Sequence, residues 1–87
     1  MIFKITGIDR PETARFKVTM HHLDTKKNYG TGNTLYEAES WSSRFQFEPG
    51  NWILTVEDDD LGVAERPFAI EPGGETRVVV RGSDFKK

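Results

Sequence analysis

Residues 45–57 constrain this chain more than any other stretch. They read Phe45-Gln46-Phe47-Glu48-Pro49-Gly50-Asn51-Trp52-Ile53-Leu54-Thr55-Val56-Glu57, two alternating apolar runs across a short polar break. Successive side chains of an extended strand point to opposite faces, so Phe45 and Phe47 share one face, and Trp52, Leu54 and Val56 can share it too. Pro49 presets φ for the second position of a turn, and Gly50 accepts the positive φ that a type II turn needs at the third. The pattern predicts a central β-hairpin with Trp52 in the core.

The flanking chain carries the same two-residue period. Residues 2–8 read as a strand with Phe3 and Ile5 facing opposite to Ile2. Residues 9–13 read as a loop, because Pro11 donates no amide proton and disfavours helix at the residue before it. From Arg15 to His22, Phe16, Val18, Met20 and His22 take one face, and Arg15, Lys17, Thr19 and His21 the other. Residues 24–33, polar and glycine-rich, are expected to be a mobile connection. Residues 33–39 read as a short strand, and 40–43 as a serine-rich bridge carrying Trp41. Val63 to Ile70 is extended, with Pro67 marking an edge strand or a bulge. Pro72-Gly73-Gly74 is a turn, Thr76 to Arg81 a last strand, and Ser83 to Lys87 a loose tail.

Six to seven short strands with a turn signal about every ten residues predict an all-β fold. The expected architecture is a small antiparallel β-sandwich, immunoglobulin-like or prealbumin-like, in one domain over residues 1–87. The order Phe45-x-Phe47-x-Pro49-Gly50-x-Trp52-x-Leu54-x-Val56, then Gly62, then Phe68-x-Ile70-x-Pro72-Gly73 and Val78-x-Val80, resembles the carboxypeptidase regulatory-like domains of the transthyretin (prealbumin-like) sandwich. The likeness covers roughly the C-terminal half. It rests on turn and core residues, so what it implies is a fold rather than an activity.

Composition narrows the function. A chain of 87 residues buries only about 60–65% of the surface its unfolded form exposes, and with no cysteine it has no disulfide to supplement the core. Either packing alone or a partner supplies the stability. Met1-Ile2-Phe3-Lys4-Ile5 alternates like a strand, so no signal peptide is expected, and no apolar run is long enough to span a membrane. Net charge is −2, unevenly spread: residues 48–75 hold eight acids against one base, whereas the first 44 hold seven bases and five acids. Nucleic acid is not expected as a partner, since phosphate binding needs a basic stripe. An acidic and a mildly basic surface are compatible with a homo-oligomer or with simple solvation.

Candidate chemistry is sparse. His21 and His22 are adjacent on a strand and point to opposite faces, so they do not chelate one ion together; Asp24 shares a face with His22. The expected roles are a core-edge cap for His22 and a solvated His21. Glu57-Asp58-Asp59-Asp60 offers oxygen ligands, making Asp58, Asp59 and Asp60 the nearest approach to a metal site, but the alternate-position spacing of a calcium loop is missing. There is no nucleophile elbow, and Gly30-Thr31-Gly32-Asn33 lacks the lysine of a phosphate loop. Neither a catalytic centre nor a cofactor is expected. Trp41, Tyr36 and Tyr29 are the aromatics placed to form a sugar-binding platform.

By elimination, the expected role is a non-catalytic structural or interaction protein, in a virion or the cytoplasm. It would be a small accessory or decoration subunit bound to a protein scaffold such as a bacteriophage capsid. The rival expectation is a carbohydrate-binding module built on the three loop aromatics.

Overall fold

The computed structural model describes residues 1–8, 13–37 and 39–87, with side chains described at these positions except 13, 14 and 31–37. The described residues form seven strands: β1 (Ile2–Thr6), β2 (Thr13–His22), β3 (Asn28–Glu37), β4 (Gly50–Asp58), β5 (Gly62–Ile70), β6 (Arg77–Arg81) and β7 (Phe85–Lys86), with a 3-10 turn at Gly82–Asp84. None of them lies in an α-helix. Five strands make one antiparallel sheet in the order β3-β2-β4-β5-β7, and β1 pairs with β6 in a two-stranded sheet.

Period-two alternation builds the core. From β2 come Phe16, Val18 and Met20, from β4 Trp52, Leu54 and Val56, and from β5 Ala64; Phe3, Ile5, Val78 and Val80 of the small sheet join them in one buried cluster. The β2–β4 ladder sets Val18 opposite Val56, Met20 opposite Leu54 and His22 opposite Trp52. Each inward residue therefore meets an inward neighbour.

Among the described residues, His22 is the one buried polar side chain, 2% exposed. Its Nδ1 accepts from the amides of Asp24 (3.2 Å) and Thr25 (3.1 Å), which leaves the proton on Nε2 to donate to the Pro49 carbonyl at 3.1 Å. The ring stands edge-on to Trp52, with centroids 4.5 Å apart. Truncating it strands two donors and one acceptor at the end of the core. His22→Ala is expected to cost about 2–3 kcal/mol in urea unfolding, and a loss under 0.5 kcal/mol would contradict this role.

Four expectations are corrected. The central hairpin does not form: β4 pairs with β2 and β5, while Phe45 and Phe47 pack against the core from a segment outside the strands. The side-chain faces were legible, but the main chain of Phe45 pairs with Met1 instead. Residues 28–33 are not a connection; they belong to β3, which is paired along the long β2, with Gly32 opposite Val18, Gly30 opposite Thr19 and Thr31 skipped at a bulge between them. The tail is ordered as the 3-10 turn and β7, because the Asp84 carboxylate accepts the Arg81 amide at 2.8 Å and Phe85 packs near Phe16. The fold is not wholly antiparallel, since β1 runs parallel to β6.

Pro67 sits where expected. It lies opposite Ile53 in β5, beyond the two residues that β7 covers, so its missing N–H disrupts no ladder on that side. The loop expected at 9–13 lies outside the described residues except for Thr13, which begins β2.

Candidate functional site: an exposed tryptophan between two cations

The outer face of the small sheet is set by the same alternation that fills the core. With Phe3, Ile5, Val78 and Val80 inward, the outward positions are Ile2, Lys4 and Thr6 on β1, and Arg77, Val79 and Arg81 on β6. A third stretch borders β1. The Glu39 amide donates to the Ile5 carbonyl (3.0 Å), the Ser42 amide to Phe3 (2.7 Å) and the Phe45 amide to Met1 (2.9 Å), while Lys4 and Trp41 form an antiparallel bridge. The Phe3 amide returns a bond to the Ser42 hydroxyl at 3.0 Å. Residues 39–45 are thus an irregular edge alongside β1.

That edge brings Trp41 onto the outer face. Its indole is 40% exposed, with the Lys4 ammonium 4.7 Å and the Arg77 guanidinium carbon 5.7 Å from the ring centroid. Such cation–π contacts hold a ring in place without burying it. The result is a flat, preset aromatic surface with positive charge beside it, suited to a partner that offers apolar area and carboxylates or other anions.

Glu39 holds this edge down. It has a positive φ of 64°, a conformation few residues with a Cβ adopt, and its carboxylate accepts from the Thr6 hydroxyl and, at 3.1 Å, from the Gly7 amide. The Thr6 hydrogen bond, then the Gly7 amide, hold its carboxyl below the ordinary carboxylate range. A depressed folded-state pKa means stabilisation that is present above the unfolded carboxyl pKa and is lost as pH falls through the folded value. Glu39→Gln should therefore flatten part of the acid limb of the stability–pH curve. Superimposable acid limbs for the two proteins would count against this anchor.

The other aromatics lie elsewhere. Tyr29, 39% exposed, packs on Phe47 (5.0 Å) and Trp52 (5.7 Å) at the core-facing side of β3, away from the outward Lys4 and Arg77 that flank Trp41. Tyr36 is in β3, opposite Ala14, and its side chain lies outside those described. The structure therefore does not join Trp41 and Tyr29 into one platform. At the acidic hairpin, Asp58 Oδ2 accepts the amides of Asp60 (3.0 Å) and Leu61 (2.9 Å), shaping the turn, while Asp59 and Asp60 are exposed. The ring of His21 bonds to the Asn28 side chain, and both ring nitrogens of His22 are engaged within the chain. Among the described residues, no group of three or more His, Asp or Glu side chains is placed to hold a metal ion.

Lys4 and Arg77 are the site residues that sequence reasoning missed. Alternation marks both as outward, but nothing local says that residue 41 lies beside β1. No protein-family model, curated protein or solved structure matches the chain.

Proposed function

We propose that this chain is a non-catalytic structural protein that docks, through the outer face of its small sheet, on a larger multi-copy assembly such as a bacteriophage virion. The observation that carries the reading is Trp41, exposed and preset by Lys4 and Arg77. Tryptophan and arginine dominate interface hot spots, and a ring already held in place loses little freedom on binding. The flanking cations favour a partner surface rich in carboxylates and speed its capture. As a finer architecture we propose an immunoglobulin-like or prealbumin-like sandwich, supported by the Pro49-Gly50 and Pro72-Gly73 steps and by two sheets that share one core.

The test is the size of the particle in which the protein travels when purified from its source. Co-sedimentation with an assembly far larger than 9.9 kDa is expected. Trp41→Ala should weaken that association by about 2 kcal/mol, roughly 30-fold, while changing folding stability by no more than about 1 kcal/mol. A free monomer in every fraction would overturn the reading.

The exposure of Trp41 also favours a second reading, carbohydrate binding. A single ring beside two cations suits an acidic sugar better than a long neutral glycan, which stacks on several rings. Binding to uronic-acid or sulfated glycans on an array, lost in Trp41→Ala, would favour it over scaffold docking.

A further inference from the structure

The two ends of the five-stranded sheet are built differently. At one end, β7 covers Val63 and Ala64, and Pro67 interrupts the rest of β5, so that edge is short and broken. At the other end lies β3, ten residues from Asn28 to Glu37, and among the described residues β2 alone pairs with it. β3 contains no proline, and Glu37, its last residue, is its only charge, in a chain where 30% of residues are charged. It therefore lacks the features that commonly keep an edge strand from pairing. Its one irregularity, the skipped Thr31, leaves residues 32–37 as a regular run along β2.

Hydrogen-bond direction fixes which main-chain groups of that run turn outward. The His22 amide donates to the Lys27 carbonyl at 2.8 Å, on the β3 side, and the Leu23 amide donates to the Asn51 carbonyl at 2.8 Å, on the β4 side. Bonding direction alternates along a strand, so Val18, Phe16 and Ala14 bond toward β3, where the register sets them opposite Gly32, Thr34 and Tyr36. The N–H and C=O of Asn33, Leu35 and Glu37 therefore point away from β2, along the outer edge of the sheet.

We infer that β3 pairs with β3 of a second copy of this chain, antiparallel about a two-fold axis at Leu35, and so joins two five-stranded sheets into one. A row of outward donors and acceptors is matched by extended peptide main chain. Symmetry and charge favour the chain's own β3 as that partner. With Leu35 opposite itself, Asn33 falls opposite Glu37 and Glu37 opposite Asn33, so each outward-bonding residue of the run meets another, and each pair exchanges two hydrogen bonds. This register keeps the bulge at Thr31 outside the contact. It also sets the single charge of the strand against a neutral residue instead of against its own copy. A two-fold contact of this kind closes on two copies. The inference rests on no part of the Trp41 reading, because that face belongs to the small sheet and this edge to the large one.

The experiment follows the mass and amide exchange of the full chain over rising concentration. Sedimentation should show the mass doubling from 9.9 kDa. In step with it, exchange at Asn33, Leu35 and Glu37 should slow at least about tenfold, while Gly32, Thr34 and Tyr36, already bonded toward β2, change little. Leu35→Pro removes an outward donor without touching the β2 ladder, and should stay monomeric with an unchanged far-ultraviolet circular dichroism spectrum. Leu35→Lys and Leu35→Glu should each be monomeric, since like charges then stand opposite, and should pair when mixed; this mixture tests the axis even if the proline variant does not fold. Trp41→Ala should leave the mass of the dimer unchanged. A monomer at every concentration up to about 1 mM overturns the inference and leaves the Trp41 docking reading standing. A dimer that survives Leu35→Pro overturns it too, as does protection of these amides only when a different protein is present.

Discussion

Trp52→Ala is expected to lower the stability of this protein by about 3–5 kcal/mol, the range for removing a fully buried large aromatic. Trp52 is 1% exposed and occupies the end of the core where several rings converge. Phe47 lies 4.9 Å away, Tyr29 5.7 Å and Phe68 6.3 Å, and His22 meets it edge-on. Its indole N–H donates to the Glu48 carbonyl at 3.0 Å, which draws the chain after Phe47 back over the core. Alanine would leave a cavity among rings too large to collapse inward, and would also free Glu48. A domain of this size is stabilised by roughly 5–15 kcal/mol in all, so the loss removes a large share. Urea unfolding followed by far-ultraviolet circular dichroism measures it, and a loss below 1 kcal/mol would mean that this cluster is not the centre of the core. Trp52→Phe keeps a ring and should lose less.

Gly62→Ala comes next, at about 2–4 kcal/mol, combining backbone strain with steric overlap. Gly62 has a φ of 98°, which L side chains rarely adopt, and a Cβ there would overlap the carbonyl of Lys86 and stand 2.8 Å from the Cα of Lys87. These are main-chain atoms and cannot swing aside. The substitution should therefore dislodge β7 from Val63 and Ala64, and amide exchange at Phe85 and Lys86 should accelerate with the loss of stability. Gly73 supplies the control: its φ is 74°, but an added Cβ meets nothing within 4 Å. Gly73→Ala should show the conformational cost alone, about 1 kcal/mol. Equal effects at the two glycines would refute the role of Lys86.

Much of the strand content was legible. Phe16, Val18, Met20 and His22 all face the core as their alternation requires, as do Phe3 and Ile5, Trp52, Leu54 and Val56, and Val78 with Val80. Pro67 marked an open edge. The errors share a cause, because each concerned a partner distant in sequence. Residues 28–33 looked too rich in glycine for a strand, yet β2 offers a long ladder whose hydrogen bonds outweigh weak local propensity. Phe45 and Phe47 had the right faces but the wrong neighbour. Trp41 was recognised as a candidate from its type, whereas Lys4 and Arg77 joined it only through the pairing of residues 39–45 with β1.

Local chemistry in this chain settles which residues extend, which side chains point inward and where the main chain can turn, since pleat geometry, proline and glycine act within a few residues of themselves. The parallel pairing of β1 with β6 and the laying of Trp41 beside Lys4 were decided by the assembled fold. A two-residue alternation assigns each side chain a face but does not say which strand lies alongside it. That choice falls to the arrangement that buries the most apolar surface while leaving the fewest buried main-chain groups unpaired.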